Sequence, residues 1–179
     1  MDIFKAIFPD LPNLKNATLD LADSDDAEFI ALLSKHYVES GMSGWSWSPM
    51  RVIRQIQNPD SLVLVGRSDD RIIAGAIVEY GALDAHLNLL AVEPLYQRNG
   101  IGTCLMKYIE NSALLEGNTR VCLEVRLSNP GAREFYKALG YKEIHIKNNY
   151  YKGSESAVYM QRNLTTNPTD QTLKDQLSD

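Results

Sequence analysis

A mixed, mostly antiparallel central sheet flanked by helices, an α/β (α+β) fold, is what this 179-residue sequence predicts. Three observations lead there. Apolar runs of strand length alternate with stretches of helical periodicity and no linker divides the chain, as expected for one layered domain. An apolar strand at 87–92 runs through a glycine-bearing turn into an apolar-periodic helix. A second strand, 120–127, runs through Ser128-Asn129-Pro130 into a helix that stops at Gly140.

The elements follow in order. Residues 1–15 read as an extra segment, with Ile3, Phe4, Ile7 and Phe8 forming a short apolar patch that packs on the body. A first strand is expected at 17–21, and Ser24 starts a helix to 35 with acidic residues in its first turn. Residues 38–47 form a Gly/Ser loop, and Ser48-Pro49 opens a second helix to about 57. Strands at 61–67 and 72–80 flank Ser68-Asp69-Asp70, a hairpin signal. The strand at 87–92 ends at Glu93-Pro94, because proline cannot extend a ladder. Leu105, Tyr108, Ile109 and Leu115 mark the next helix. Asn129 suits an N-cap, Pro130 the first helical position and Gly140 the position just past the end. Two closing strands precede a polar tail, 165–179, expected to be disordered. The domain proper therefore spans 16–164, in the order β-α-α-β-β-β-α-β-α-β-β.

The turn Gln97-x-x-Gly100-x-Gly102 carries chemistry. Unpaired amides at a helix start point outward, the helix dipole is positive there, and glycines let a ligand approach the backbone. The blander alternative is a tight turn with close packing. A dinucleotide-binding turn needs a third glycine where Leu105 stands, and a phosphate-binding P-loop sequence is absent.

This turn resembles the pyrophosphate-binding turn of the GNAT superfamily of N-acetyltransferases, [Gln/Arg]-x-x-Gly-x-[Gly/Ala]. Downstream, Leu123-Glu124-Val125-Arg126-x-Ser128-Asn129-x-x-Ala132-x-x-Phe135-Tyr136-x-x-Leu139-Gly140-Tyr141 is similar to one branch, the bacterial ribosomal-protein alanine N-acetyltransferases and related protein N-terminal acetyltransferases. Asn149-Tyr150-Tyr151 and Ala157-Val158-Tyr159-Met160 resemble that branch's closing strands, and Trp47-Ser48 its second-helix start. The resemblance spans roughly 16–164. It implies a GNAT fold, acetyl-CoA as acetyl donor, and direct attack by an amine in a ternary complex.

It also implies roles for particular residues. Gln97, Arg98, Asn99, Gly100, Ile101, Gly102 and Thr103 would hold the donor's phosphates, and Leu90, Ala91 and Val92 would line it, a backbone N–H there stabilising the oxyanion. Asn129 would bond the pantetheine arm or only cap its helix. Glu124 stands where the branch places its proposed base, the alternative being a strand glutamate paired with Arg126 or a lysine. Tyr136, six residues and about 9 Å beyond Pro130 along the helix, matches the tyrosine near the coenzyme sulfur and is the candidate acid that protonates the departing thiolate; the alternative is a buried packing residue. His86 is a rival base. Tyr150 and Tyr151 match substrate-cleft tyrosines, and Trp47 would pack first and touch substrate second, beside Trp45.

Acetyl transfer to an amine needs a neutral nucleophile, a stabilised oxyanion and a proton for the thiolate. An α-amine, with a pKa of about 8, is roughly one-tenth neutral at pH 7, whereas lysine is almost wholly charged. An α-amine therefore needs only a modest base, such as a carboxylate acting through a water. The expected acceptor is a protein N-terminus, with ribosomal proteins among the candidates; a polyamine or aminoglycoside acceptor and a non-catalytic acyl-CoA-binding module are the alternatives.

Composition sets limits. A net charge of −5 disfavours broad binding to nucleic-acid phosphates. No apolar run nears the roughly eighteen residues that span a bilayer, and no signal architecture opens the chain, so a cytoplasmic protein is expected. Cys104 and Cys122 read as small core residues, without a disulfide or metal site.

Overall fold

The computed structural model describes residues 17–42, 46–151 and 155–164. The N-terminal segment 1–15, Trp45 and the tail 165–179 lie outside the described residues. Seven strands form one sheet in the order β1-β2-β3-β4-β5-β7-β6: β1 Ala17–Leu21, β2 Ser61–Ser68, β3 Arg71–Tyr80, β4 Asp84–Val92, β5 Arg120–Arg126, β6 Lys142–Tyr151 and β7 Glu155–Asn163. Among the described residues, four α-helices join them: α1 Ala27–Leu33, α2 Pro49–Ile56, α3 Ile101–Leu115 and α4 Pro130–Ala138.

Local chemistry explains the connections. Asp69 and Asp70 both take positive φ, 48° and 65°, and two left-handed central residues match the twist of a tight hairpin. β3 and β4 are antiparallel as well. From β4 the chain must travel the length of α3 before β5, so β4 and β5 run parallel, the one parallel pair in the described sheet. β7 inserts between β5 and β6, antiparallel to both, leaving β6 at the edge.

The sheet buries two clusters, one on each face. Leu105, Met106 and Ile109 of α3 meet Leu64, Ile73, Val78, Leu87, Leu123 and Met160. Ile30 and Ala31 of α1 and Val52 of α2 meet Val63, Val65, Ile77, Leu89 and Ala91. The second cluster draws on β2, β3 and β4 and takes nothing from β5, β7 or β6. On those three strands the corresponding face is polar. The register sets Glu124, Tyr159 and His145 side by side across it.

Three details differ from expectation. The first helix opens with a 3-10 turn, Ser24–Asp26, capped by Asp23, and extends past 35 as a π turn, Ser34–Val38. Arg67 donates to both carboxylate oxygens of Asp26 at 2.7 and 2.8 Å, tying this helix start to β2. Leu115, expected on the apolar face of α3, is 77% exposed, because the helix ends there and runs off the sheet. Cys104 and Cys122 are free and buried.

Ile109 is fully buried between α3 and the sheet. Ile109→Ala should therefore cost about 2–5 kcal/mol of unfolding free energy, read as a lower urea midpoint at unchanged slope.

Candidate active site

The site begins where β4 and β5 part. They hold register only from Asp84–Arg120 to Leu87–Leu123. Beyond this, β4 remains paired to β3 as far as Val92 and β5 to β7 as far as Arg126. A bulge starts the separation: Val78 pairs with Leu87 and Ile77 with Leu89, so Asn88 is the extra residue. The bulge reverses which face β4 side chains take, sending Leu87 and Leu89 into different clusters. Asn88 donates to Glu79, which holds the bulge.

At the far end of β4 lies the glycine turn. Pro94–Tyr96 makes a 3-10 turn, Arg98 takes φ 66° and Gly100 φ 85°, and α3 starts at Ile101. No side chain caps α3, so its first amides face outward with the positive end of the helix dipole. Gly102 lies inside the first helical turn, where a Cβ would come 3.2 Å from the Phe135 ring of α4. That glycine thus serves close packing between α3 and α4. Gln97 and Asn99 spend their side-chain amides within the turn: Gln97 Nε2 donates to the Val92 carbonyl at 2.9 Å, and Asn99 Nδ2 to the carbonyls of Tyr96 and Gln97 at 3.3 and 3.2 Å. Both shape the cradle, so a phosphate contact from their side chains is not what the hydrogen bonding favours; Ile101, Gly102 and Thr103 offer their amides instead.

Across the gap, on the polar face of β5, Glu124 forms a three-membered charged group. Its side chain is only 5% exposed, with His86 Nε2 at 2.8 Å from Oε2 and Lys147 Nζ at 2.6 Å from Oε1. Burial alone raises a carboxyl pKa, but the hydrogen bonds and charges of His86 and Lys147 outweigh it and hold this one below its ordinary value. Glu124 is therefore an ionised acceptor across the neutral range. His86, at 36% exposure, is the open end of the pair. The pairing of Glu124 with a lysine holds true of the structure; the lysine is Lys147. Arg126 instead pairs with Glu155 at 2.6 Å and donates to the Ser40 carbonyl at 2.8 Å, fastening the loop after the π turn to β5.

Two tyrosines close the group. Tyr151 donates to the Glu124 backbone carbonyl at 3.3 Å. Tyr150, 45% exposed, meets Tyr151 edge-to-face at 5.0 Å. Tyr136 is buried in the α3–α4 cluster between Phe135 and Tyr141, ring centroids 5.0 and 5.6 Å away. Burial, with a smaller contribution from Tyr151, pushes its phenol well above the usual value. Asn129 accepts from the Ala132 amide at 3.0 Å, so its oxygen is a helix cap. Trp47 is 5% exposed in the second cluster, with the Arg51 guanidinium 4.2 Å over its ring. That burial fits the packing role expected first for Trp47.

Sequence reasoning did not single out Lys147 or Glu155, and it named Tyr159 only as part of a closing strand. The alternation Glu143-Ile144-His145-Ile146-Lys147 was the available signal, since it puts His145 and Lys147 on one strand face.

A parallel pair that separates, an uncapped helix start beyond it and an ionised carboxylate across the gap define a group-transfer enzyme, with an anionic donor on one side and an acceptor on the other. The chain belongs to the acetyltransferase (GNAT) family, whose model matches residues 27–141. It is an N-acetyltransferase with acetyl-CoA as donor. The ribosomal protein bS18-alanine N-acetyltransferase of Escherichia coli strain K12 is 30% identical over 132 residues, 72% of this chain and 88% of that one. Its counterpart in Salmonella typhimurium strain LT2 is 38% identical over 96 residues; the match spans 52% of this chain and 65%, just under two thirds, of that relative. The crystal structure of the Escherichia coli ribosomal-protein-S18-alanine N-acetyltransferase superposes with a TM-score of 0.72 at 26% identity, covering 84% of this chain and 96% of that one.

The lowered Glu124 pKa has a stability consequence. A carboxyl with a depressed folded-state pKa adds stability above its unfolded-state value and loses it as pH falls through the folded-state value. The stability difference between wild type and Glu124→Gln should be largest near neutral pH and shrink steadily on acidification, read by urea unfolding from pH 7 to pH 3.

Proposed function

We propose that this enzyme acetylates the N-terminal α-amine of a protein, with a ribosomal protein as the favoured acceptor, by direct attack within a ternary complex. The observation that carries this reading is Glu124, ionised and buried on the sheet face beside the separating strands, within one cluster with His86, Tyr150 and Tyr151. The two relatives named above are N-acetyltransferases of a ribosomal alanine.

On this reading acetyl-CoA lies along β4, its phosphates at the amides of Ile101, Gly102 and Thr103 and its thioester near the backbone of Leu90 to Val92. The acceptor enters over Tyr150 and Tyr151. An α-amine loses a proton at little cost near pH 8, and that proton passes to the Glu124–His86 pair. A carboxylate held low is a weak base by itself; His86 Nε2 at 2.8 Å adds a group able to share the proton. The neutral amine attacks the thioester carbon, and a β4 backbone N–H steadies the oxyanion. The intermediate collapses as the carbon–sulfur bond breaks, and the extra proton on its nitrogen passes to the departing thiolate, giving amide and free CoA thiol. Tyr136 stays protonated at every working pH. It serves first as a hydrogen-bond donor to the sulfur, because a phenol raised so far surrenders its proton reluctantly to a thiolate.

The test is CoA release from acetyl-CoA with short peptides of varied N-termini alongside polyamines. Peptide-dependent turnover is expected, with Glu124→Gln lowering kcat about 10²- to 10⁴-fold and Tyr136→Phe about tenfold, the scale of one lost hydrogen bond, each at nearly unchanged acetyl-CoA KM. Turnover with polyamines alone would replace the proposed acceptor. Independently, Gly100→Val should raise acetyl-CoA KM, since a branched side chain at φ 85° is strained and distorts the turn.

A further inference from the structure

Lys147 does more than balance a charge. Its ammonium is 2.6 Å from Glu124 Oε1 and lies over two phenol rings, 4.8 Å from the centroid of Tyr159 and 5.2 Å from that of Tyr150. A carboxylate with two aromatic faces is a receptor for an ammonium ion. The other Glu124 oxygen is taken by His86, so this is the side on which the carboxylate meets a mobile cation.

We propose that Lys147 is the enzyme's own occupant of the acceptor's ammonium subsite, and that the incoming amine binds by displacing it. This rests on the amine-acceptor reading above. The exchange is feasible on three grounds. The Lys147 side chain is 34% exposed, and its flexible four-carbon stem can carry the charge into solvent without backbone movement. It sits on the edge strand β6, at the last regular pair before the register slips between Lys147 and Tyr151. Replacing one ammonium by another also leaves Glu124 paired throughout, which avoids an uncompensated buried carboxylate.

The consequence concerns specificity. A ligand must bring a cation able to outcompete a tethered lysine, so neutral amides and blocked N-termini are rejected at entry. Once the acceptor amine gives up its proton to become a nucleophile, it no longer holds Glu124 electrostatically, and the Lys147 charge can return. Lys147 thereby keeps the carboxylate ionised between turnovers.

The experiment measures acceptor KM, kcat, acetyl-CoA KM and the pH profile for wild type, Lys147→Met and Lys147→Arg, using the best peptide of the panel. For Lys147→Met the acceptor KM should fall about three- to tenfold, the scale of one exposed cation contact, with acetyl-CoA KM unchanged. The acid limb of kcat/KM should move to higher pH, since Glu124 loses a partner that lowers its pKa. Lys147→Arg keeps a cation in the cage and should restore KM to within about twofold of wild type. An acceptor KM that rises or stays put in Lys147→Met, with turnover intact, overturns the displacement. If Lys147→Met fails to fold, Lys147→Gln is judged by the same two criteria. Wild type that binds acetyl-CoA but turns over with no amine would instead remove the amine-acceptor reading, and this inference with it.

Discussion

The parting of β4 and β5 is the constraint on which the rest depends. Backbone N–H and C=O groups need partners, and in this sheet every other neighbouring pair supplies them in antiparallel register. β4 and β5 supply them to each other for four residue pairs only. The Asn88 bulge starts the separation, and the long α3 crossover, which must bring the chain back parallel, places an uncapped helix start at the open end. Strand geometry and anion cradle are therefore one construction. Shortening α3 or removing the bulge would disturb both together.

The same sheet separates donor from acceptor. α1 and α2 cover the β2–β4 half of one face and leave the β5-β7-β6 half polar. A carboxylate there is buried without an apolar layer over it. Glu124 shows how such a group is made tolerable: 5% exposed, it would carry a large desolvation penalty alone, and its hydrogen-bonded partners His86 and Lys147 reverse the direction of its shift. What this gains in stability it costs in basicity. A low-pKa carboxylate suits an α-amine, which needs little help to deprotonate, and would suit a lysine acceptor poorly. The electrostatics of this one residue thus accord with the acceptor class proposed above.

Much of this was legible in the sequence because local signals agreed with the fold. Asn129, Pro130 and Gly140 bound α4 as their cap chemistry demands, and Asp69-Asp70 makes the hairpin. The glycine turn gave the donor side. What the sequence hid was the use of side chains. Gln97 and Asn99 carry donors fit for phosphate, but in a turn with Arg98 and Gly100 both left-handed, free backbone carbonyls compete for those donors and win. Trp47 stands beside a cleft in sequence, but α2 folds its ring into the second cluster. Lys147 was hidden for a different reason: it is 23 residues from Glu124, and only the insertion of β7 between β5 and β6 decides that they face each other.

That insertion has a further meaning for the site. β7 contributes Tyr159 between Glu124 of β5 and His145 of β6, and His145 stacks on the Tyr159 ring at 4.9 Å. A stacked imidazole restrains the ring, so the aromatic wall beneath the Lys147 ammonium is held from behind. Tyr150, by contrast, is half exposed on the edge strand beyond a register slip and beside Asn149 at φ 53°. One wall of the cage is therefore fixed in the sheet and the other sits on irregular backbone at its rim. A ligand entering from the rim meets the adaptable tyrosine first and the rigid one last.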